Sequence, residues 1–253
     1  MRIAVILFPG TNCENETAEA LNSVGLSAEI VRWNQPITQL SSYDGYVLPG
    51  GFSYEDRIRS GVIAAQDPIM KTIKREAQKG KPVLGICNGA QILVETGMVP
   101  GLSERDMALA PNFHTNGYHC TWVYLTVTRR TAFTAGFAEG EIFPIPIAHG
   151  EGRFTTKDDT LRAHLDEYTV FRYCTKEGNV VEAFPANPNG SLNNIAGICN
   201  KEGNVMAMMP HPERASWMRQ LPIRERLPFA QLEAGTQARR IFASMKQYLE
   251  EKR

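Results

Sequence analysis

The chain lacks most of the features that announce a function, and each absence excludes something. No stretch reaches the roughly 18 consecutive apolar residues of a membrane-spanning helix, so such a span is excluded. Lys+Arg and Asp+Glu both number 27, and no basic run is interleaved with aromatics, so nothing draws a nucleic acid. The five cysteines, at 13, 87, 120, 174 and 199, form no CxxC pair, and an odd count leaves at least one unbridged. That usage fits a reducing, cytoplasmic setting. There is no internal repeat and no low-complexity tract. Gly80-Lys81 is followed by Pro82, which rules out a Walker A loop, and no GxGxxG follows a strand, so a nucleotide-driven step would belong to another chain. The start, MRIAVILFPG, has no small-residue cleavage site and reads as a first buried strand.

What is present is a regular alternation. Over the first hundred residues, strands IAVILF, SAEIVRW, GYVLPGG and PVLGI are separated by helical patterns at about Glu14 to Val24, Ser60 to Lys79 and Asn88 to Thr96. Apolar strands alternating with helices predict an α/β fold, a mostly parallel central sheet with helices on both faces. From Cys120 the pattern turns to strands without long helices: TWVYLTV, IFPIPIAH, EYTVFRYC, NVVEAF and NIAGICN, read as antiparallel additions. The strand NVMAMMP follows, and a last helix covers about Thr236 to Glu250. LPIRERLPF, with Pro222 and Pro228, reads as a surface excursion. No boundary is evident, and 1–253 is taken as a single domain.

The chemistry concentrates at Gly85-Ile86-Cys87-Asn88-Gly89, where a strand ends and a helix begins. Two glycines flanking a central thiol have the spacing of a nucleophile elbow, a tight turn that exposes its middle residue. A Cβ on either side would crowd the turn or require a costly positive φ. At a helix N-terminus the thiolate is favoured over the thiol. Taken alone, a free cysteine is more often a small buried residue; the paired glycines reverse that reading. Cys13 also follows a strand, but its neighbours are Asn12 and Glu14 and no glycine follows closely, which makes it the weaker nucleophile.

A thiolate nucleophile needs a proton partner, usually a histidine oriented by a third group. Among histidines 114, 119, 149, 164 and 211, His211 stands out: Pro210-His211-Pro212-Glu213 follows an apolar strand and sets a carboxylate two residues from the imidazole. A plain polar loop is the bland alternative. A second His-x-Glu, His149-Gly150-Glu151, raises a metal site built from two such pairs, but no HExxH or zinc-spaced Cys/His set accompanies it, and no metal is expected. For an oxyanion hole the candidates are the N–H of Asn88 and one from Gly50-Gly51, a double glycine that could also serve only a tight turn.

These segments together, GGF after the third strand, GICNGAQIL around Cys87 and MMPHPE, resemble the class I (triad-type) glutamine amidotransferases. FPGTNC, GGFSYEDRIRSG, IAHGEGRF and NPNGS followed by IAGICN are similar to the glutaminase subunits of phosphoribosylformylglycinamidine synthase within that class, and the likeness runs in order from Phe8 to Glu213. The resemblance implies a flavodoxin-like fold and hydrolysis of L-glutamine to glutamate and ammonia through a Cys87 thioester. His211 would be acid and base and Glu213 its orienting group. Gly51 and Asn88 would supply oxyanion N–H groups, Gln91 would contact glutamine, and His149, Gly150 and Glu151 would lie near its amino acid moiety. No cofactor is implied on this chain; ATP and Mg²⁺ would sit on a partner synthetase subunit, with a small third subunit completing a complex of purine biosynthesis. Glu55 stands where the family often has glycine, and 220–232 is longer than a minimal member needs. An independent cysteine hydrolase or peptidase and a non-catalytic binding module are the competing readings.

Overall fold

The structure, a computed structural model, describes residues 1–102, 106–114, 117–222 and 227–252. In chain order the elements are β1 (Arg2–Leu7), α1 (Glu14–Ser23), β2 (Ser27–Arg32), β3 (Gly45–Leu48), α2 (Val62–Ala65), α3 (Pro68–Gln78), β4 (Val83–Ile86), α4 (Asn88–Glu95), β5 (Ala108–Ala110) and β6 (His119–Val127). They continue with β7 (Ile142–His149), β8 (Arg153–Thr155), α5 (Asp159–His164), β9 (Thr169–Cys174), β10 (Ile195–Cys199), β11 (Val205–Met208), α6 (Phe229–Leu232) and α7 (Arg240–Glu251).

One nine-stranded sheet runs β2-β1-β3-β4-β11-β10-β9-β6-β7. Its first five strands pair in parallel. The remaining four pair antiparallel, the additions expected from the second half of the sequence. The inner parallel strands are apolar runs buried on both faces: Val83–Ile86 and Val205–Met208 are buried throughout. From β1 the chain moves one way to β2 and the other way, through β3, to β4. Right-handed crossovers therefore place α1 on one face and α3 and α4 on the other. The carboxyl ends of strands beside such a reversal form a crevice, the usual ligand position in open α/β sheets.

The antiparallel half curls. β7 is the outer strand, and it tolerates Pro144 and Pro146 because an edge strand has one side free of ladder bonds. The curl brings that free side back over the parallel half, where the Pro146 carbonyl accepts the His211 N–H at 2.9 Å. The far edge of the sheet thus closes on the loop that leaves its middle.

Three sequence expectations are corrected. The helix expected over 60–79 is two, α2 and α3, because Pro68 drives Asp67 out of helical geometry (φ −62°, ψ 138°). Asp67 instead caps α3, accepting the Ile69 N–H at 3.0 Å, with Pro68 in the first turn. NVVEAF forms no strand: both flanks of β9 and β10 are already paired, so the segment has no ladder to join, and Val180 and Val181 are exposed. The last helix starts at Arg240, after turns in which the Arg240 and Ile241 N–H groups reach Gln237 and Ala238. Sequence reading also missed the short pair β5–β8, three residues each, and the six-residue α5, all too short for a periodic signal. LPIRERLPF, expected as a surface excursion, ends where α6 begins at Phe229, and 223–226 lie outside the described residues.

Candidate active site

Cys87 occupies the corner between β4 and α4 with φ 50° and ψ −106°, a conformation forbidden to most L-residues. The flanking glycines serve space rather than dihedral freedom. A Cβ on Gly85 would lie 2.5 Å from the Gly89 carbonyl, and one on Gly89 would lie 1.9 Å from the Leu48 carbonyl of β3. Bare backbone lets α4 sit directly on the sheet, and the strain falls on the cysteine alone. The Cys87 N–H bonds the Met208 carbonyl at 2.8 Å, tying the elbow to β11. Its sulfur is buried, 3.6 Å from the Ala148 carbonyl of β7.

β11 is the parallel neighbour of β4, with Ile86 opposite Met208, so the residues after each strand emerge side by side. His211 follows β11 and is buried. Its Nδ1 bonds Glu213 Oε1 at 2.5 Å, which leaves Nε2 without a hydrogen-bond partner. Burial pulls the imidazole pKa down, but the charges of Glu213 and Cys87 outweigh it and hold the pKa well above the ordinary value. An imidazolium beside a thiol is the state that stabilises a thiolate and later yields a proton.

Gly51 joins them with φ 145°, where a Cβ would strike Asn12 N and Thr11 Cα at 2.7 Å. Its neighbours bond across the Thr11–Gly51 bridge, Phe52 N–H to Gly10 and Asn12 N–H to Gly50. The Gly51 N–H has no backbone acceptor among the described residues. Asn88, the first residue of α4, likewise has an N–H with no intrahelical acceptor. Cys87, His211 and Gly51 line one small cavity of about 40 Å³ with Asn12, Cys13 and Arg214, and with Phe52 and Tyr118. That is far below the few hundred Å³ of a typical small-molecule site, so the cavity as it stands is too small for a substrate the size of an amino acid.

The other expected residues form a second, interlocked group. Asn88 donates to Gln91 Oε1 at 2.9 Å and accepts the Ser53 N–H at 3.1 Å. Gln91 donates to the Glu151 carbonyl at 2.7 Å, and the Glu151 carboxylate accepts the Ser60 N–H at 3.3 Å. Asp56 also accepts from Asn88, at 3.3 Å; burial raises its pKa, and Glu151 adds to that rise. Gln91 is thus buried and engaged with protein on both amide atoms. His149, at the end of β7, pairs its Nδ1 with Asn112 Oδ1 at 3.1 Å, and its Nε2 has no partner. Burial, then the positive charges of His211 and His119, lower its pKa to about 3, so it is neutral. The Gly150 carbonyl accepts the Asn112 N–H at 2.9 Å.

Cys13, weighed from sequence as a rival nucleophile, turns out to be the cap residue of α1, packed beside His211. Cys13, His211 and Glu213 have ligand-type atoms within 4.8 Å of one another, and His149 and Glu151 do not join them. This trio is a poor cradle for a cation: Nδ1 is spent on Glu213, and the Arg214 guanidinium already donates to the Cys13 sulfur at 3.1 Å. Glu55, where the resemblance expects glycine, keeps the left-handed backbone glycine adopts freely, φ 59°. Sequence reasoning missed Arg214, Asn112, Asp56 and the aromatic pair Phe52 and Tyr118. Only Arg214 carried a signal, as the cation directly after Glu213.

A strained thiol at a strand-to-helix corner, a histidine–carboxylate pair after the adjacent parallel strand and the Gly51 and Asn88 N–H groups beside them form, on a doubly wound sheet, the arrangement that acyl transfer requires. The profile of the CobB/CobQ-like glutamine amidotransferase domain matches residues 1–249, and the chain belongs to that family. More particularly, it is 48% identical over 266 aligned positions to "Phosphoribosylformylglycinamidine synthase subunit PurQ" of Methanothrix thermoacetophila, with all of both chains covered. The protein of the same name from Methanosarcina mazei is 44% identical over 255 positions, covering 99% of each chain. Among solved structures, a chain in the structure of PurLQS from Thermotoga maritima is 36% identical, with a TM-score of 0.77 and 98% of each chain covered.

Proposed function

We propose that this chain is the glutaminase subunit of a phosphoribosylformylglycinamidine synthase. The observation that carries the reading is the Cys87 elbow, set beside the His211–Glu213 pair on neighbouring strand ends. Full-length similarity to PurQ subunits supports the particular complex. Cys87 attacks the side-chain amide carbon of L-glutamine as a thiolate, and the carbonyl oxygen takes up the negative charge against the Gly51 and Asn88 N–H groups. As the tetrahedral adduct collapses, the C–N bond breaks, His211 gives its proton to the departing nitrogen, and ammonia leaves a γ-glutamyl thioester. His211 then takes a proton from water, whose oxygen displaces the sulfur to give glutamate. Glu213 keeps the imidazole in the tautomer that presents Nε2 to the sulfur.

Gln91, His149, Gly150 and Glu151 are assigned to the amino acid end of glutamine. Because Gln91 is held by Asn88 and Glu151 in the free chain, its contact with substrate requires an exchange of partners. Ammonia passes to the synthetase subunit, which holds ATP and Mg²⁺ and uses the ammonia to convert formylglycinamide ribonucleotide to the amidine; a small third subunit completes the complex. Residues 1–253 act as one amidotransferase domain. The work is assigned to the cytoplasm, where Cys87 stays reduced; no helix among the described residues is long and apolar enough to cross a membrane.

The test is Cys87→Ser in the reconstituted complex. Glutamine-dependent amidine synthesis is expected to vanish while synthesis from added ammonium salt persists. Retained glutamine use would remove Cys87 from the nucleophile's place, and peptide cleavage by the chain alone would favour an independent hydrolase.

A further inference from the structure

Glu213 presents an anomaly. Its Oε1 holds His211, but its Oε2 is fully buried and has no hydrogen-bond partner. An orphaned buried carboxylate oxygen attracts any donor within reach. After the His211 imidazolium the next cation is Arg214, the following residue, whose Nε lies 4.0 Å from Glu213 Oε1. A guanidinium so close to an unsatisfied carboxylate is normally drawn into a two-bonded pair. Here only that long ion pair forms, while its Nη2 donates to Cys13 Sγ at 3.1 Å and to Glu16 Oε1 at 3.3 Å, the cap and the first turn of α1.

We infer that Cys13 is a positioning residue: its sulfur holds the Arg214 guanidinium away from Glu213, so that the full carboxylate charge stays on His211. This rests on the reading of His211 and Glu213 as the proton-handling pair. Burial raises the Cys13 pKa against the opposing pull of its contact with the His211 ring, and the net rise keeps the sulfur a neutral acceptor. Its own S–H is directed to Asn12 Oδ1 at 3.3 Å, away from the arginine. Space is tailored to a thiol, since the Cβ that Gly50 lacks would lie 3.2 Å from Cys13 Sγ and 2.7 Å from His211 Cε1. Glu16, which shares Nη2 with the sulfur, is partly exposed and screened, so alone it is a weak tether. Without the sulfur, Nε is free to close on Glu213. The charged and titratable groups facing His211 are Glu213 and Arg214 from its own segment, Cys13 from α1, Cys87 from the elbow, His149 from β7, and Tyr118. Of these, Arg214 is the cation poised to neutralise the carboxylate.

The experiment uses the full chain with two readouts, NMR titration of the His211 ring and glutaminase activity in the complex. Cys13→Ala is expected to lower the His211 pKa by about one unit, the size one displaced contact charge brings. It should move the alkaline limb of the rate profile down by the same amount and reduce kcat roughly tenfold with KM little changed, a part of what general acid–base catalysis supplies. Adding Arg214→Met should restore most of the His211 pKa, and Cys13→Ser, whose oxygen still accepts from the guanidinium, should stay near wild type. An unchanged His211 pKa in Cys13→Ala, or a double variant no better than Cys13→Ala, overturns the proposal. Because the NMR titration needs no turnover, a wild-type chain that failed to use glutamine would sink the functional reading separately.

Discussion

Replacing Cys87 by glycine is expected to make the protein more stable than replacing it by alanine, although both changes remove the nucleophile. At φ 50° and ψ −106° any side chain with a Cβ is strained, by about 1–3 kcal/mol for such a position. Alanine keeps that strain. Glycine removes it but makes the unfolded chain more flexible, at roughly 0.5–1 kcal/mol. The difference leaves Cys87→Gly ahead of Cys87→Ala by about 1 kcal/mol, a rise in Tm of roughly 2–4 °C for a chain of this size. Both lose the buried thiol equally, so that loss cancels. Thermal and urea unfolding of the two variants, scored against each other and not against wild type, isolates the backbone contribution. An alanine variant as stable as the glycine variant, or more stable, would show that the elbow is unstrained and that the conformation is not held by the surrounding sheet and α4.

Other outcomes follow from the same geometry. The isolated chain is expected to hydrolyse glutamine slowly, at least tenfold below the complex, because its cavity of about 40 Å³ must enlarge to admit the substrate; fast hydrolysis without a partner refutes the need for that enlargement. His149 has a folded pKa near 3 against about 6.5 unfolded, so the unfolded state binds more protons between these values and stability declines as pH falls through that window, by up to about 1.4 kcal/mol per unit. His149→Asn, whose amide nitrogen can take the Nδ1 place beside Asn112, should flatten that slope in urea titrations from pH 7 to 4. An unchanged slope would mean that other groups govern acid unfolding.

How much of this was legible beforehand depends on how local the cause is. The elbow was readable because its requirement is two bare backbone positions beside one thiol, all within five residues. Even so, the reason differed in part: Gly85 and Gly89 relieve contacts with Gly89 and Leu48, and the unusual dihedrals belong to Cys87 itself. Pro68 stands in the sequence, yet the apolar pattern over 60–79 suits one helix and the proline divides it. NVVEAF has the residues of a strand, but β9 before it and β10 after it are each paired on both sides, a property of the assembled sheet. The engagement of Gln91 with Glu151 and the turning of Arg214 toward Cys13 each join residues far apart in the chain. Nothing short of the curl of β7 over the parallel strands brings Ala148 to the sulfur of Cys87.

The pairing of β4 with β11 has a consequence for how such a protein can change. The two halves of the reactive couple are indexed by one hydrogen-bonded ladder, Val205 with Val83 through Met208 with Ile86. Insertions in the surface loops between them lengthen the periphery without altering their spacing, whereas a slip of one rung would part them. The chain can therefore remodel its outer surface for a new docking companion while its chemistry stays on a fixed ruler.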